Sequence, residues 1–126
     1  PPPPGGPLPF LGGPPGGAAP ARNIRALTEA GLPRVLLTLA AEGAILSTRS
    51  AQWYARSEAI PAVTAIGRGA AAMGGYLMTE LDGAPEPERL RAALAYATAR
   101  SGKTGSEAPS PEDAAAIEVM VSELPM

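Results

Sequence analysis

The chain reads as an α/β domain with a mostly parallel sheet and a β-hairpin, and three stretches predict this. Arg34-Val35-Leu36-Leu37-Thr38-Leu39 is a nearly continuous apolar run of strand length, the pattern of a strand buried on both faces as in a parallel sheet. Ala44-Ile45-Leu46-Ser47-Thr48 and Gln52-Trp53-Tyr54-Ala55 flank Arg49-Ser50 as the arms of a hairpin. Ile60-Pro61-Ala62-Val63-Thr64-Ala65 reads as extended chain and passes through Ile66-Gly67-Arg68-Gly69 into helical spacing at Met73, Leu77 and Leu81.

The whole chain narrows the chemistry. At 126 residues it is one small domain or a piece of a larger one. Its first residue is Pro rather than Met, so a processed, cut or incompletely recorded chain is expected. A net charge of −2 with scattered Lys and Arg argues against a nucleic-acid partner. With no cysteine and no histidine, the strongest metal sites and every His- or Cys-based catalytic arrangement are excluded. Chemistry is left to carboxylates, Lys and Arg, hydroxyls, backbone amides or a bound cofactor. No apolar run reaches bilayer length and no basic segment precedes an apolar one, so no membrane partner is expected and the default location is cytoplasmic.

In chain order, residues 1–20 are almost entirely Pro, Gly, Ala and Leu, with Phe10 and no charge. Two readings are an arm with polyproline II character and, less favoured because no Lys or Arg flanks the prolines, a ligand for an aromatic groove. A third, implied only by the family resemblance given below, is that residue identities there, and at some motif positions, are imperfectly determined. From 20 to 30, Ile24, Leu27 and Ala30 share one helix face, with Arg22, Arg25 and Glu29 toward solvent. Gly31 stands where a helix end takes a left-handed residue, and Pro33 prevents continuation. After the first strand, 40–43 is a turn into the hairpin. Trp53 and Tyr54 are adjacent and point to opposite faces, so at most one of them faces a given ligand; Trp53 is read as hairpin packing.

The helix from about 70 to 81 carries a small face (Ala71, Gly74, Gly75) beside a larger one (Met73, Tyr76, Leu77), which suits close packing on a sheet. Asp82-Gly83-Ala84-Pro85 ends it. A further helix runs from about 86 to 100, with Leu90, Leu94 and Ala97 inward and Glu88, Arg89, Arg91 and Arg100 outward. Ser101-Gly102-Lys103-Thr104-Gly105 contains Gly-Lys-Thr but has Ala97 where a Walker A loop needs glycine, and it follows a helix instead of preceding one. It reads as a polar loop, from which Lys103 could still reach a nucleotide phosphate as a point charge. Ser110-Pro111-Glu112-Asp113 is a helix start with Ser as N-cap and an acid three residues on, and Ile117, Met120, Val121 and Leu124 are read as the apolar stripe that follows.

The glycine turn is the candidate site. Gly67 and Gly69 have no Cβ, so the backbone there can bend into positive φ and approach a ligand, while the first helical N–H groups and the positive dipole end point to the same place. The natural guest is a phosphate or a developing oxyanion; the plainer reading is a tight strand-to-helix turn. Arg68 could clamp a phosphate or extend into solvent.

Thr64-Ala65-Ile66-Gly67-Arg68-Gly69-Ala70 resembles the C-terminal signature of the PfkB carbohydrate kinases, Asp/Asn-Thr-x-Gly-Ala-Gly-Asp followed by a small-residue helix. Thr38-Leu39-Ala40-Ala41-Glu42-Gly43-Ala44 is similar to the family's Thr-Leu-Gly-x-x-Gly-Ala, with Ala40 in place of the first glycine. The resemblance covers about 21–124, most like the 1-phosphofructokinase and tagatose-6-phosphate kinase branch. It implies the C-terminal portion of a three-layer α/β/α ribokinase-like fold, with residues 21–126 as its nucleotide-side part.

The resemblance further implies ATP-dependent phosphoryl transfer to a sugar or sugar phosphate, with Mg²⁺ arriving on ATP and a homodimer in the full-length protein. Gly67, Arg68 and Gly69 fall at the anion hole, Thr38 and Gly43 on the nucleotide side, and the helix and loop after 86 over the adenine. Ala70 stands where the family has its general-base Asp. A methyl group accepts no proton, and a positioned base is worth about 10²- to 10⁴-fold in rate. The chain alone, without the sugar-binding half and without that Asp, is therefore expected to be inactive. The alternatives are a non-catalytic nucleotide-binding or regulatory module of the same fold, and a purely structural α/β domain.

Overall fold

The computed structural model describes residues 19–38, 43–58, 67–103 and 107–124. In chain order its elements are α1 (Ala19–Glu29), β1 (Arg34–Thr38), β2 (Ala44–Thr48), β3 (Gln52–Ser57), α2 (Arg68–Leu81), α3 (Glu86–Ser101), α4 (Pro111–Ala115) and β4 (Val119–Leu124). The readings of 1–18, of 40–42 in the 40–43 turn, of 60–66 and of 104–105 in the polar loop lie outside the described residues.

The four strands form one sheet in the order β1-β2-β3-β4, and every neighbouring pair is antiparallel. This corrects the expectation of a mostly parallel sheet. A parallel pair needs a crossover of a dozen or more residues, whereas β1, β2 and β3 follow one another through links far too short for one. The apolar run that suggested a parallel strand lies at the edge of the four described strands, exposed at both ends and half-buried between. The fully buried strand is β2, which lies between two neighbours.

Side-chain alternation divides the core. On one face Ile45 and Tyr54 pack with Ile24 of α1 and Leu124. On the other, Leu46 and Ala55 pack with Leu90, Ala93, Leu94 and Ala97 of α3, and Trp53 joins them. Trp53 and Tyr54 thus lie on opposite faces, as their adjacency requires, and Trp53 Nε1 donates to Glu86 Oε1 at 3.4 Å. The α1 side also holds polar side chains that hydrogen-bond to one another. Arg25 Nη2 donates to Gln52 Oε1 at 3.0 Å and Gln52 Nε2 to Ser47 Oγ at 3.3 Å. Leu27, expected inward on α1, is exposed; buried Thr28 takes that place and donates to the Arg25 carbonyl at 2.8 Å.

α2 packs chiefly on α3. Gly75 is the contact: a Cβ there would meet the Ala92 carbonyl oxygen at 2.6 Å and Tyr96 at 2.8 Å. Gly75 therefore serves helix-to-helix packing, not the helix-to-sheet packing expected from the composition of this face. Met73, Leu77 and Leu81 lie on the exposed side of α2.

The C-terminal expectation also changes. Ser110 caps α4 through a complete capping box with Asp113, but the helix ends at Ala115, and 119–124 pairs with β3 as a strand. Ile117, Met120, Val121 and Leu124 are therefore not a helical stripe. Met120 and Val121 belong to opposite faces of β4, and Met120 is exposed.

Candidate functional site

The amino end of α2 is built around Gly67, the N-cap, with φ 84° and ψ 0°. This left-handed geometry is cheap only without a Cβ, and it turns the chain so that α2 begins at Arg68. No side chain caps the helix and its first turn carries no acid. The N–H groups of a helix's first turn have no intrahelical acceptor, so this end is a positive pole.

Two arginines reinforce it. Arg100, near the end of α3, is 5% exposed, and its guanidinium lies so close to Gly67 that a Cβ there would stand 2.8 Å from Nε. Arg100 Nη1 donates to the Lys103 carbonyl at 3.3 Å, which orients the group. Arg68 is half-buried and its Nη1 donates to the Ala97 carbonyl at 3.4 Å. Burial pushes the Arg68 guanidinium below its ordinary pKa, because desolvation penalises the charged form. Arg68 does not simply extend into solvent: it is held against α3. An anion at this end of α2 would complement both the dipole and the cations.

From this pole a cavity of about 490 Å³ runs along α2. It is lined by Gly67, Ala70, Ala71, Gly74, Gly75 and Met78 from α2 and its cap, by Tyr96 and Arg100 from α3, and by Ala108 and Pro109 from the loop before α4. At 1.5 Å per residue the lined stretch from Gly67 to Met78 is about 16 Å long. Gly74 opens into it, since a Cβ at Gly74 would meet nothing within 4 Å.

The loop wall is tied at both ends. Lys103 Nζ lies 2.9 Å from Asp113 Oδ2 and 3.9 Å from Glu107 Oε2. Asp113 Oδ2 also accepts the Ser110 N–H at 2.9 Å, and Asp113 N–H donates to Ser110 Oγ at 3.1 Å. The Ser110 N–H, foremost, and then Lys103 hold the Asp113 carboxyl at about 2, while Asp113 raises the Lys103 ammonium above its ordinary value.

Of the residues singled out from the sequence, Gly67 and Ala70 line the cavity; Arg68 and Gly69 adjoin it at the helix start; Thr38, Gly43 and Lys103 are not among its described lining. Gly67 takes the positive φ expected of it, whereas Gly69 is an ordinary helical residue whose absent Cβ would meet nothing within 4 Å. Ala70 is exposed and presents its methyl group. Gly43 has φ 129°, and a Cβ there would lie 2.2 Å from the Ala55 carbonyl oxygen, so Gly43 itself packs closely on β3. Thr38 is exposed at the end of β1.

Arg100, expected outward on α3, is buried against Gly67. The signal was present: Leu90, Ala93 and Ala97 repeat at helical spacing, and the next position on that face is Arg100. Among the described residues no group of three His, Cys, Asp or Glu is placed to hold a metal ion, and no helix is long and apolar enough to cross a membrane.

No protein-family model matches the chain, and no curated protein matches it. Solved structures do. A candidate phosphofructokinase from Staphylococcus aureus matches with a TM-score of 0.74 at 22% identity, over 79% of this chain and 33% of that one. Phosphofructokinase-2 from Escherichia coli, solved with substrates and products, matches with a TM-score of 0.71 at 18% identity, over 75% of this chain and 31% of that one. Fructokinase from Vibrio cholerae O395, with fructose, ADP and calcium ion bound, matches with a TM-score of 0.63 at 22% identity, over 76% of this chain and 34% of that one. These neighbours are PfkB-family sugar kinases, and the likeness falls on their C-terminal part. The chain has the fold of that part and spans about a third of the neighbours' length.

Proposed function

We propose that this chain is the nucleotide-side part of an ATP-dependent sugar or sugar-phosphate kinase, formed by residues 21–126. The observation that carries the reading is the continuity of an apolar cavity with a cationic helix terminus, since a nucleotide has an apolar ring at one end and a polyanion at the other. The base fits the cavity between α2, Tyr96 and the Ala108-Pro109 wall. The phosphates fit the first N–H groups of α2, beside Arg100 and Arg68. The kinase fold of the structural neighbours supports the same assignment.

Bound ATP would supply the phosphoryl group, with Mg²⁺ carried on its phosphates. The residues of this chain would act by position and charge, which is most of what phosphoryl transfer asks of a protein. Gly67 shapes the turn, the amides after it face the transferring group, and Arg100 offsets charge from one side. Ala70 supplies no base. A second reading, a nucleotide-binding module without turnover, is favoured by that one residue.

Calorimetric titration of this chain with Mg-ATP tests the site. Binding that is saturable, and lost in both Gly69→Val and Gly74→Val while the fold is kept, is the expected result. Saturable binding that neither substitution weakens, or none at millimolar nucleotide, would overturn it. Turnover on fructose 1-phosphate or tagatose 6-phosphate, with Ala70→Asp in a chain that includes the sugar-side half, separates the two readings. A gain of about 10²-fold or more marks a kinase site, and no gain favours the module.

A further inference from the structure

A second cavity, of about 390 Å³, lies between α1 and the turn that joins β2 to β3. It is lined by Arg25, Thr28 and Glu29 of α1, by Gly31 beyond the helix end and by Arg49 of the turn. It is remote from the cavity along α2. Arg25 bonds to Gln52, the first residue of β3, whereas α3 touches the last: Ser57 Oγ lies 2.9 Å from Thr98 Oγ1, close to the Arg100 that packs on Gly67. α1 and α3 also cover opposite faces of the sheet, and the two cavities share no described lining residue.

The charges of this second cavity are held in place and held apart. Arg25 Nη2 donates to Oε1 of fully buried Gln52 at 3.0 Å, which draws that guanidinium toward the sheet. Arg49 Nη2 donates to the Gly31 carbonyl at 3.2 Å, which brings a second guanidinium across from the hairpin. Glu29 is one helical turn beyond Arg25, a spacing at which opposite charges ordinarily pair. Among the described residues Glu29 and Arg49 nevertheless make no ion pair. The carbonyl end of α1 adds negative partial charge on the Glu29 side. A phosphate or other simple anion would gain from the guanidinium groups but be opposed by Glu29 and the helix end, and a simple amine would meet the reverse. A molecule that carries both charges close together suits both sides: a guanidinium matches a carboxylate with paired N–H donors, and an ammonium group has three donors for carboxylate and carbonyl oxygens.

We propose that this cavity binds a free α-amino acid. Arg25 and Arg49 take its carboxylate, and Glu29 with the carbonyl end of α1 takes its ammonium group.

The test is an NMR titration of the chain, following the backbone amides of Gly31 and Arg49, with four probes. L-Alanine carries both charges, propionate and ethylamine each lack one of them, and inorganic phosphate is the simple anion. The expected result is a saturable shift with L-alanine at millimolar concentration, and binding weaker by about tenfold or more for each of the other three. Glu29→Gln and Arg49→Gln, both at exposed positions, are each expected to weaken L-alanine by about threefold or more. Propionate or phosphate as tight as L-alanine would make this an anion site only, and ethylamine as tight would make it a cation site; either overturns the proposal. So does the absence of a saturable shift at about 100 mM L-alanine, or binding that neither substitution weakens. The comparison of probes on the native chain decides the matter without a variant if either substitution disturbs the fold.

Discussion

The guanidinium of Arg100 lies against the α-carbon of Gly67, close enough that a Cβ at Gly67 would stand 2.8 Å from Nε. A cation near the end of one helix is thereby brought to the positive start of another. Cations are opposed at helix N-termini, so an anion between the two would be favoured, and on the reading proposed above the phosphates of a nucleotide would be that anion.

That contact makes a stability prediction. Gly67→Ala combines a left-handed φ of 84° with displacement of Arg100, and is expected to destabilise the chain by about 1–3 kcal/mol. Gly69→Ala has neither problem and is expected to be neutral or stabilising by up to about 1 kcal/mol. Urea unfolding of the two variants checks this, and equal losses would show that both glycines are held by close contacts.

Gly74 and Gly75 are adjacent and are expected to respond with opposite signs. Gly74→Ala adds a methyl group to open space and removes a helix-interior glycine, for a gain of about 0.5–1 kcal/mol. Gly75→Ala drives its methyl group into the Ala92 carbonyl oxygen and the Tyr96 ring, so the α2–α3 contact must open. Thermal melting distinguishes them: the first raises Tm and the second lowers it.

Leu90 is fully buried at the centre of the contact between α3 and the sheet. Leu90→Ala is expected to cost about 2–5 kcal/mol, measured by the shift of the urea midpoint. Leu81→Ala, at an 86% exposed position, is expected to change stability by less than about 0.5 kcal/mol.

The loop wall carries a pH dependence with a definite direction. The folded-state pKa of Asp113 is depressed to about 2 by the Ser110 N–H and Lys103, below the ordinary carboxylate value. Its contribution to stability is therefore complete above the unfolded pKa and is lost as pH falls through about 2. Tm followed from pH 5 to pH 2 is expected to fall less in Asp113→Asn than in the native chain. Ser110→Ala, which removes the N-cap oxygen, is expected to cost about 0.5–2 kcal/mol at neutral pH. Identical acid profiles for native and Asp113→Asn would remove Asp113 as a determinant of loop stability.

What the sequence by itself determined is what depends on groups a few residues apart. The breaks at Gly31 and 82–85, the two-residue hairpin turn, the Ser110 cap, the left-handed Gly67 and the opposite faces of Trp53 and Tyr54 all follow from dihedral preference, strand alternation or a hydrogen bond spanning three residues. Only the tertiary structure decided what depends on partners far along the chain. Strand direction followed from which strands lie together. The 119–124 segment became a strand because β3 offered a pairing edge to residues some seventy positions away, as Gln52 opposite Leu124 shows. Arg100 was buried, and a cavity was left along Gly74, because α2 and α3 approach at Gly75 as closely as an absent side chain allows. Local preference acts through dihedrals and near neighbours; a cavity between two helices exists only once their packing has set the space between them.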